Sequence, residues 1–336
     1  MNRRIIYIIA VMVSLLILGG CRGVKSTREA IKLNGKAQGT YYSIIYYDKE
    51  GRDLQWEIDS LLKDFDMTAS LWEDESLIRR VNENRDSIVN EDFVKLVEMS
   101  QEMHKYSNGA FDCTVGKLVN AWGFGFSKRE EMSDKVIDSL RQYVGVQPII
   151  IRNNSGIAIV RKATPESTID FNAIAQGYST DMVSRFLESK GIENYLVDIG
   201  GEVYAKGCKP DSSSWTVGIE RPAENKYSSP EVEMSIELRD QSVVTSGNYR
   251  KYYEKDGVRY SHTIDPKTGR PVEHSLLSVS VVDKSAWRAD ALATAFMVMG
   301  LEKAKAFIKE HPEDSMEKVI FIYSEGDGYK VEEIDN

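Results

Sequence analysis

Apolar residues recur at helical spacing over 54–66 (Leu54, Ile58, Leu61, Leu62, Phe65), over 91–106 (Phe93, Leu96, Val97, Met103) and over 133–143. The same spacing predicts a helix over 173–190, closed by Gly191. Two more are predicted over 286–299 and 301–310, the second stopping before Pro312. Shorter runs rich in β-branched and aromatic residues read as strands at 40–47, 157–161, 195–206, 215–220, 232–239, 258–264, 277–283 and 318–323. Turn signals such as Asp256-Gly257 and Lys267-Thr268-Gly269 join several of them. Helices gather in the first half and strands in the second. That order predicts an α+β fold, a mainly antiparallel sheet flanked by helices, rather than a regular βαβ repeat. The stretch 208–214 suits either a linker or a long hairpin loop, so no domain boundary is drawn there.

The first residues have a different pattern. Arg3 and Arg4 precede a nearly unbroken apolar run, Ile5 to Leu18, which is short for a membrane span. Leu18-Gly19-Gly20-Cys21 closes it with small residues and a cysteine, as a secretory signal does. These four residues also resemble the bacterial lipobox, in which the cysteine is lipidated and becomes the first residue. The expected organisation is therefore a signal peptide over 1–20, a lipidated tether over 21–36 that starts at Cys21, and a domain over 37–336.

Net charge is −9, and loss of Arg3 and Arg4 makes the exported part more acidic, which argues against a broad nucleic-acid surface. Only Cys113 and Cys208 remain after processing. They are too few for a disulfide scaffold and lie in no zinc-type spacing; two buried, unpaired small residues are the favoured reading.

The candidate chemistry lies in four places. Asp290 and Thr294 sit four residues apart on an apolar helix, so both oxygens share a face. A carboxylate buried there needs a partner. Mg²⁺ would serve, as would a salt bridge to Arg288 or another cation with Thr294 bonding back to the helix carbonyl. His262 follows Ser261 in a strand-like run, where Tyr260, His262 and Ile264 would share a face. A neutral imidazole there can take a hydroxyl proton, or simply pack. Asp170 to Tyr178 reads as a strand entering a helix, with Asn172 as N-cap and Gly177 allowing close packing. Glycines alternate with aromatics at Gly109-Ala110-Phe111-Asp112 and Trp122-Gly123-Phe124-Gly125-Phe126, which suits a planar heterocycle or a bent apolar loop. Gly200-Gly201 reads as a bulge or close backbone approach within a strand.

Taken in order, these segments resemble the ApbE family of FAD:protein FMN transferases. Gly39-Thr40-Tyr41, Ser70-Leu71-Trp72, Gly109 to Asp112, Asp170 to Tyr178, Asp198 to Gly201, Thr245-Ser246-Gly247, Ser261 to Pro266 and Asp290 to Thr294 carry the resemblance. It implies an ApbE-like (T-fold-like) architecture with a central flavin cleft. It also implies a lipoprotein on the periplasmic side of the inner membrane that moves the FMN half of FAD onto a Thr or Ser hydroxyl and releases AMP. By position, Mg²⁺ would be held by the Asp290 carboxylate, the Thr294 hydroxyl and the Ala173 carbonyl. FAD would contact Gln38, Trp72, Ala110, Phe111, Asp112, Asp170, Gln176, Ile264 and Ala293, and His262 would activate the acceptor. The implied acceptors are flavin-bearing subunits of Na⁺-translocating NADH:quinone reductase or Rnf-type complexes.

Two residues depart from the family pattern. Gln176 stands where Lys is usual, removing one phosphate-facing charge, for which Arg288 is a candidate substitute. Cys113 stands where Pro is usual, removing that ring's rigidity from the loop. An FAD pyrophosphatase with water as acceptor, and a flavin-binding lipoprotein without turnover, fit the same residues.

Overall fold

Among the described residues every strand pairing is antiparallel. The computed structural model describes residues 29–126, 129–222, 231–248, 252–255, 258–312, 316–326 and 328–336. The strands are β1 (Ile31–Ala37), β2 (Thr40–Tyr46), β3 (Ile88–Val89), β4 (Ile149–Arg152), β5 (Ala158–Arg161), β6 (Tyr195–Ile199), β7 (Glu202–Lys206), β8 (Trp215–Glu220) and β9 (Val232–Leu238). There follow β10 (Gln241–Gly247), β11 (Tyr252–Lys255), β12 (Val258–Ser261), β13 (Ile264–Asp265), β14 (Arg270–Pro271), β15 (Leu276–Asp283), β16 (Lys318–Glu325) and β17 (Gly328–Asp335). The helices are α1 (Gln55–Ala69), α2 (Leu77–Asn82), α3 (Glu91–Tyr106), α4 (Gly116–Ala121), α5 (Asp134–Arg141), α6 (Ala175–Ser189), α7 (Ala286–Met299) and α8 (Leu301–Glu310).

Eight strands form one open sheet in the order β1-β2-β6-β7-β10-β15-β16-β17. Its two faces are read directly from alternating residues. Val244, Val279, Val281, Val319 and Phe321 enter the core shared with α3 and α7. Their neighbours Val243, Val282, Ile320 and Ile322 point the other way, onto Trp215, Ile219 and Leu238 of the β8–β9 ribbon. A strand buried on both faces reads as a nearly continuous apolar run, which is why β15 is legible in the sequence. Each such Val, Ile or Phe contributes about 1.5–3 kcal/mol when fully buried. At the other end, Tyr42, Ile44, Val197 and Ile199 meet Ile58 and Leu62 of α1 and Val183 and Leu187 of α6.

Some helix starts carry side-chain caps, but α6 does not: it starts at Ala175, and Asn172, the expected cap, lies outside it. Asn90 Oδ1 accepts from the Phe93 N–H at 2.9 Å at the start of α3, and Ser133 Oγ from the Val136 N–H at 3.3 Å before α5. Gly300, at φ 75°, ends α7 and turns the chain into α8.

Several expectations are corrected. The predicted strand over 195–206 is two strands. Gly200 (φ 68°) and Gly201 (φ 108°) form a tight hairpin turn in which Ile199 faces Glu202, because two successive positive-φ residues reverse the chain instead of bulging it. The run 258–264 breaks after Ser261, so His262 lies in a bend between β12 and β13 and shares no strand face with Tyr260 and Ile264. Residues 208–214 are the loop between β7 and β8, which pack on the same core, so no domain boundary falls there. Residues 31–36, read as tether, belong to edge strand β1, because the partner strand β2 supplies the pairing. The signal segment and Cys21 lie outside the described residues. No helix among the described residues is long and apolar enough to cross a membrane. Cys113 and Cys208 are both free; Cys113 is buried, whereas Cys208 is only half-buried.

Candidate active site

Helices α6 and α7 cross closely because position 177 is glycine. A Cβ there would stand 2.3 Å from the Ala286 carbonyl oxygen and 2.8 Å from Asp290 Cβ. The close approach lets the Gly177 N–H donate to Asp290 Oδ2 at 3.0 Å. In a regular helix that N–H would serve the carbonyl four residues back, Ala173. The next amide, Tyr178 N–H, does keep its partner, the Ile174 carbonyl. The Ala173 carbonyl therefore accepts no hydrogen bond among the described residues.

Asp290 is buried, and burial pushes its carboxyl up to about 7, with the Gly177 N–H opposing the shift. No cation forms an ion pair with it among the described residues: Arg288 Nε lies 3.3 Å from Asp283 Oδ2 instead, and its guanidinium covers the Tyr106 ring. The salt-bridge alternative for Asp290 is thus set aside. One turn on, Thr294 Oγ1 lies 3.3 Å from Ser246 Oγ near the end of β10. These residues could offer one carboxylate, one hydroxyl and one main-chain carbonyl, hard oxygens of the kind Mg²⁺ takes. No group of three His, Cys, Asp or Glu side chains able to hold a metal occurs among the described residues.

Strand β10 also leads to the histidine. Asn248, just past its end, accepts from Thr263 Oγ1 at 2.8 Å, and its N–H donates to the Leu277 carbonyl. His262 is next to Thr263, half-buried, with its ring edge-on to Phe124 at 6.4 Å. The same loop is anchored through Trp122, whose indole N–H donates to the Gly269 carbonyl at 2.8 Å.

Next to Gly177 in the chain, Gln176 lies where two hairpin turns meet. Gln38 (φ 54°) and Gly39 (φ 72°) form the β1–β2 hairpin turn. Both amide atoms of the Gln38 side chain are buried without a partner. Buried amides left bare cost free energy, so this pair suits a ligand that supplies bonds to both. Gln176 reaches the β6–β7 turn: a Cβ on Gly200 would stand 2.3 Å from Gln176 Nε2 and 2.8 Å from Thr40 Cγ2.

A third group lies behind α3. Asp170 is buried and pushed up to about 6 by that burial, with its Oδ1 accepting from the Asn172 N–H. Its N–H donates to the Cys113 carbonyl at 2.8 Å, which ties it to the Ala110-Phe111-Asp112 loop. Ala110 and Phe111 are buried in the main core, and so is Ala293. Ile264 packs with Leu118, Trp122 and Ile137. Asp112 borders a cleft of roughly 520 Å³ also lined by His104, Gly109, Gly145, Pro266 and Lys267. Trp72 stands apart from these contacts: it is 61 % exposed, and its N–H bonds to Ser70 Oγ.

One structural carboxylate was not singled out in the sequence. Asp181 of α6 accepts from the Ala286 N–H (2.9 Å) and the Trp287 N–H (3.0 Å), capping α7 from outside its own chain segment. Burial raises its carboxyl to about 6. Its place three residues after Tyr178, on the buried side of an amphipathic helix, is the signal that was available.

Residues 38–319 match the model of the ApbE family. A FAD:protein FMN transferase of Vibrio cholerae is 38% identical over 328 residues, covering 95% of this chain and 94% of the relative. A FAD:protein FMN transferase of Haemophilus influenzae is 35% identical, covering 90% of this chain and 89% of its own length. Among solved structures, the apo form of the Pseudomonas stutzeri flavinyl transferase ApbE aligns with a TM-score of 0.78 at 33% identity, covering 91% of this chain and 94% of that one. The flavin transferase ApbE from Vibrio cholerae aligns with a TM-score of 0.77 at 36% identity, over 91% and 97% of the two chains.

Proposed function

This chain belongs to the ApbE family, and on that premise we propose that it is a Mg²⁺-dependent transferase that moves FMN from FAD through a phosphoester bond onto a Thr or Ser hydroxyl of a target protein, releasing AMP. The observation that carries the reading is the diverted Gly177 N–H. It leaves the Ala173 carbonyl without its helical partner, and the carboxylate that takes the N–H is buried with no cation paired to it among the described residues.

Asp290, Thr294 and the Ala173 carbonyl would hold Mg²⁺. When bound, the ion would neutralise part of the pyrophosphate charge and so favour attack at phosphorus. Gln38, Trp72, Asp112, Asp170 and Gln176, with the chain at Ala110, Phe111, Ile264 and Ala293, would bind and orient the dinucleotide. His262 would accept the proton of the acceptor hydroxyl as its oxygen bonds to the FMN phosphorus. The bond from that phosphorus to the bridging oxygen breaks, and AMP leaves with the oxygen. Fixing the hydroxyl, the phosphorus and the leaving group in line is the larger part of the work. A positioned general base adds about 10²–10⁴-fold.

The acceptors proposed are flavin-bearing subunits of Na⁺-translocating NADH:quinone reductase or Rnf-type complexes. The proposed location is the periplasmic side of the inner membrane, through a lipid on Cys21; the support is the Leu18 to Cys21 sequence.

The test is to incubate the protein with FAD and Mg²⁺, with and without an acceptor subunit, following AMP and the acceptor's mass. AMP that depends on acceptor, together with an FMN-sized mass gain, supports transfer. AMP without acceptor would make the protein an FAD pyrophosphatase, and no AMP in either case would leave only binding.

A further inference from the structure

The Asp112 carboxylate is held by a network that the transfer chemistry does not account for. Its Oδ1 takes three donors: the Thr114 N–H at 2.7 Å, the Thr114 hydroxyl at 2.5 Å and Gln147 Nε2 at 2.8 Å. Thr114 Oγ1 in turn accepts from the Gly145 N–H at 2.9 Å, and Gln101 Nε2 donates to the Pro148 carbonyl at 2.5 Å. The segment from Gly145 to Pro148 is thus docked on the turn that carries Asp112 and on α3.

Two further contacts fix the orientation of the network. The Cys113 thiol donates to Gln147 Oε1 at 3.1 Å. That bond reinforces the amide orientation that the carboxylate also favours, with Nε2 turned towards Asp112; the flipped amide would lose both contacts. On the other side, His104 Nδ1 lies 3.3 Å from Asp112 Oδ2 and 3.1 Å from the Phe111 carbonyl. Two acceptors face this nitrogen, so it carries the proton. Gln147 Nε2, 3.2 Å from the same nitrogen, directs one of its two hydrogens to Asp112. Apart from its long contact with His104, Oδ2 is buried without a hydrogen-bond partner among the described residues.

We propose that Gln147 and His104 are positioning residues for the flavin-dinucleotide contact made by Asp112, and that the Cys113 thiol acts by orienting the Gln147 amide. This rests on the reading of Asp112 as part of the dinucleotide site. Burial alone would push the Asp112 carboxyl up, but the bonds from His104, Thr114 and Gln147 outweigh it and keep the group ionised. Burial raises the Cys113 thiol far above its ordinary range, so it remains a donor. Its role is to hold a neighbouring amide, with no redox or nucleophilic step.

The test is a mutant cycle read in FAD affinity. Cys113→Ala should raise the FAD Kd by about tenfold, the scale of one lost hydrogen bond, and Cys113→Ser should return most of it. In a Gln147→Ala background, Cys113→Ala should add nothing, since its effect passes through that amide. The turnover number for AMP at saturating FAD should move by less than about twofold while KM rises. Cys208→Ala is the control. Unchanged affinity in Cys113→Ala, or additive effects in the double variant, would overturn the proposal while leaving the flavin reading intact. Absence of FAD binding by the unmodified protein would instead sink the flavin reading. The positioning claim is then decided by hydrogen exchange at the Gln147 side-chain amide, which should speed up in Cys113→Ala; unaltered exchange overturns it.

Discussion

Gly177 gives its N–H to Asp290 at 3.0 Å across a helix–helix contact that leaves no room for a Cβ. This one bond determines three things at once. It brings a carboxylate of α7 to the first turn of α6, it holds that carboxylate in a fixed rotamer, and it frees the Ala173 carbonyl from the helix ladder.

Gly177→Ala should therefore disturb both fold and site. The added methyl meets the Ala286 carbonyl at 2.3 Å, a main-chain atom that cannot step aside, so the helices must separate. The expected cost is about 1–3 kcal/mol, the range for overpacking. A lowered urea midpoint at unchanged slope checks it, and a variant as stable as the parent would show that the helices already have slack there.

Asp290→Asn separates charge from shape. The amide oxygen can still accept from Gly177, so the fold should survive and the metal-free protein should melt no lower than the parent. AMP release should fall by about 100-fold or more, because an uncharged ligand holds Mg²⁺ poorly. Near-normal turnover would count against Asp290 as the metal ligand.

Stability of the metal-free protein should fall as pH rises from about 5 to 7, above the range in which depressed carboxylates such as Asp112 titrate. Asp170 and Asp181 are pushed up to about 6 and Asp290 to about 7, all chiefly by burial. In that window the folded state keeps protons that the unfolded chain has released, so each rise in pH favours unfolding. His104, raised chiefly by Asp112, works in the same direction as it loses its proton. Thermal melts in chelator at several pH values give the measurement. The Asp290→Asn variant should flatten the upper part of the curve, and a melting point that climbs between pH 5 and 7 would contradict the assignment.

His262→Ala should slow flavin transfer by about 10²–10⁴-fold while FAD affinity stays within a few-fold. Its ring is half-buried at a bend, edge-on to Phe124, and its removal opens no large core cavity. Loss of FAD binding instead would make it a structural residue of that loop.

The sequence carried much of this fold because several elements state their own periodicity. Helix α3 begins and ends where predicted, with Asn90 as its cap, and β15 and β16 are legible as apolar runs. Strands β1 and β17 were missed because both are edge strands. Their lysines and glutamates guard the open sheet edge and so erase the pattern that would mark them. β10, with its Ser, Thr and Gln, was missed for a related reason. Thr245 pairs its hydroxyl with Ser280 across the sheet, a partnership that exists only once β10 and β15 are adjacent.

For the site, local sequence fixes which residue types are present and the helical phase that puts Asp290 and Thr294 on one face, because helix geometry needs no information beyond spacing. It does not fix the turns: Gly200-Gly201 reads locally as a bulge, and Gln38 takes its positive φ only in the β1–β2 hairpin. What those residues meet was decided by tertiary structure. Whether Asp290 would pair with Arg288 or sit without a cation, whether Gly177 would merely pack or also donate, and whether Gln147 would reach Asp112 all depend on atoms far apart in the chain. Burial and hydrogen-bond partnership are properties of the packed whole, because desolvation is imposed by neighbours that the sequence around a residue does not contain.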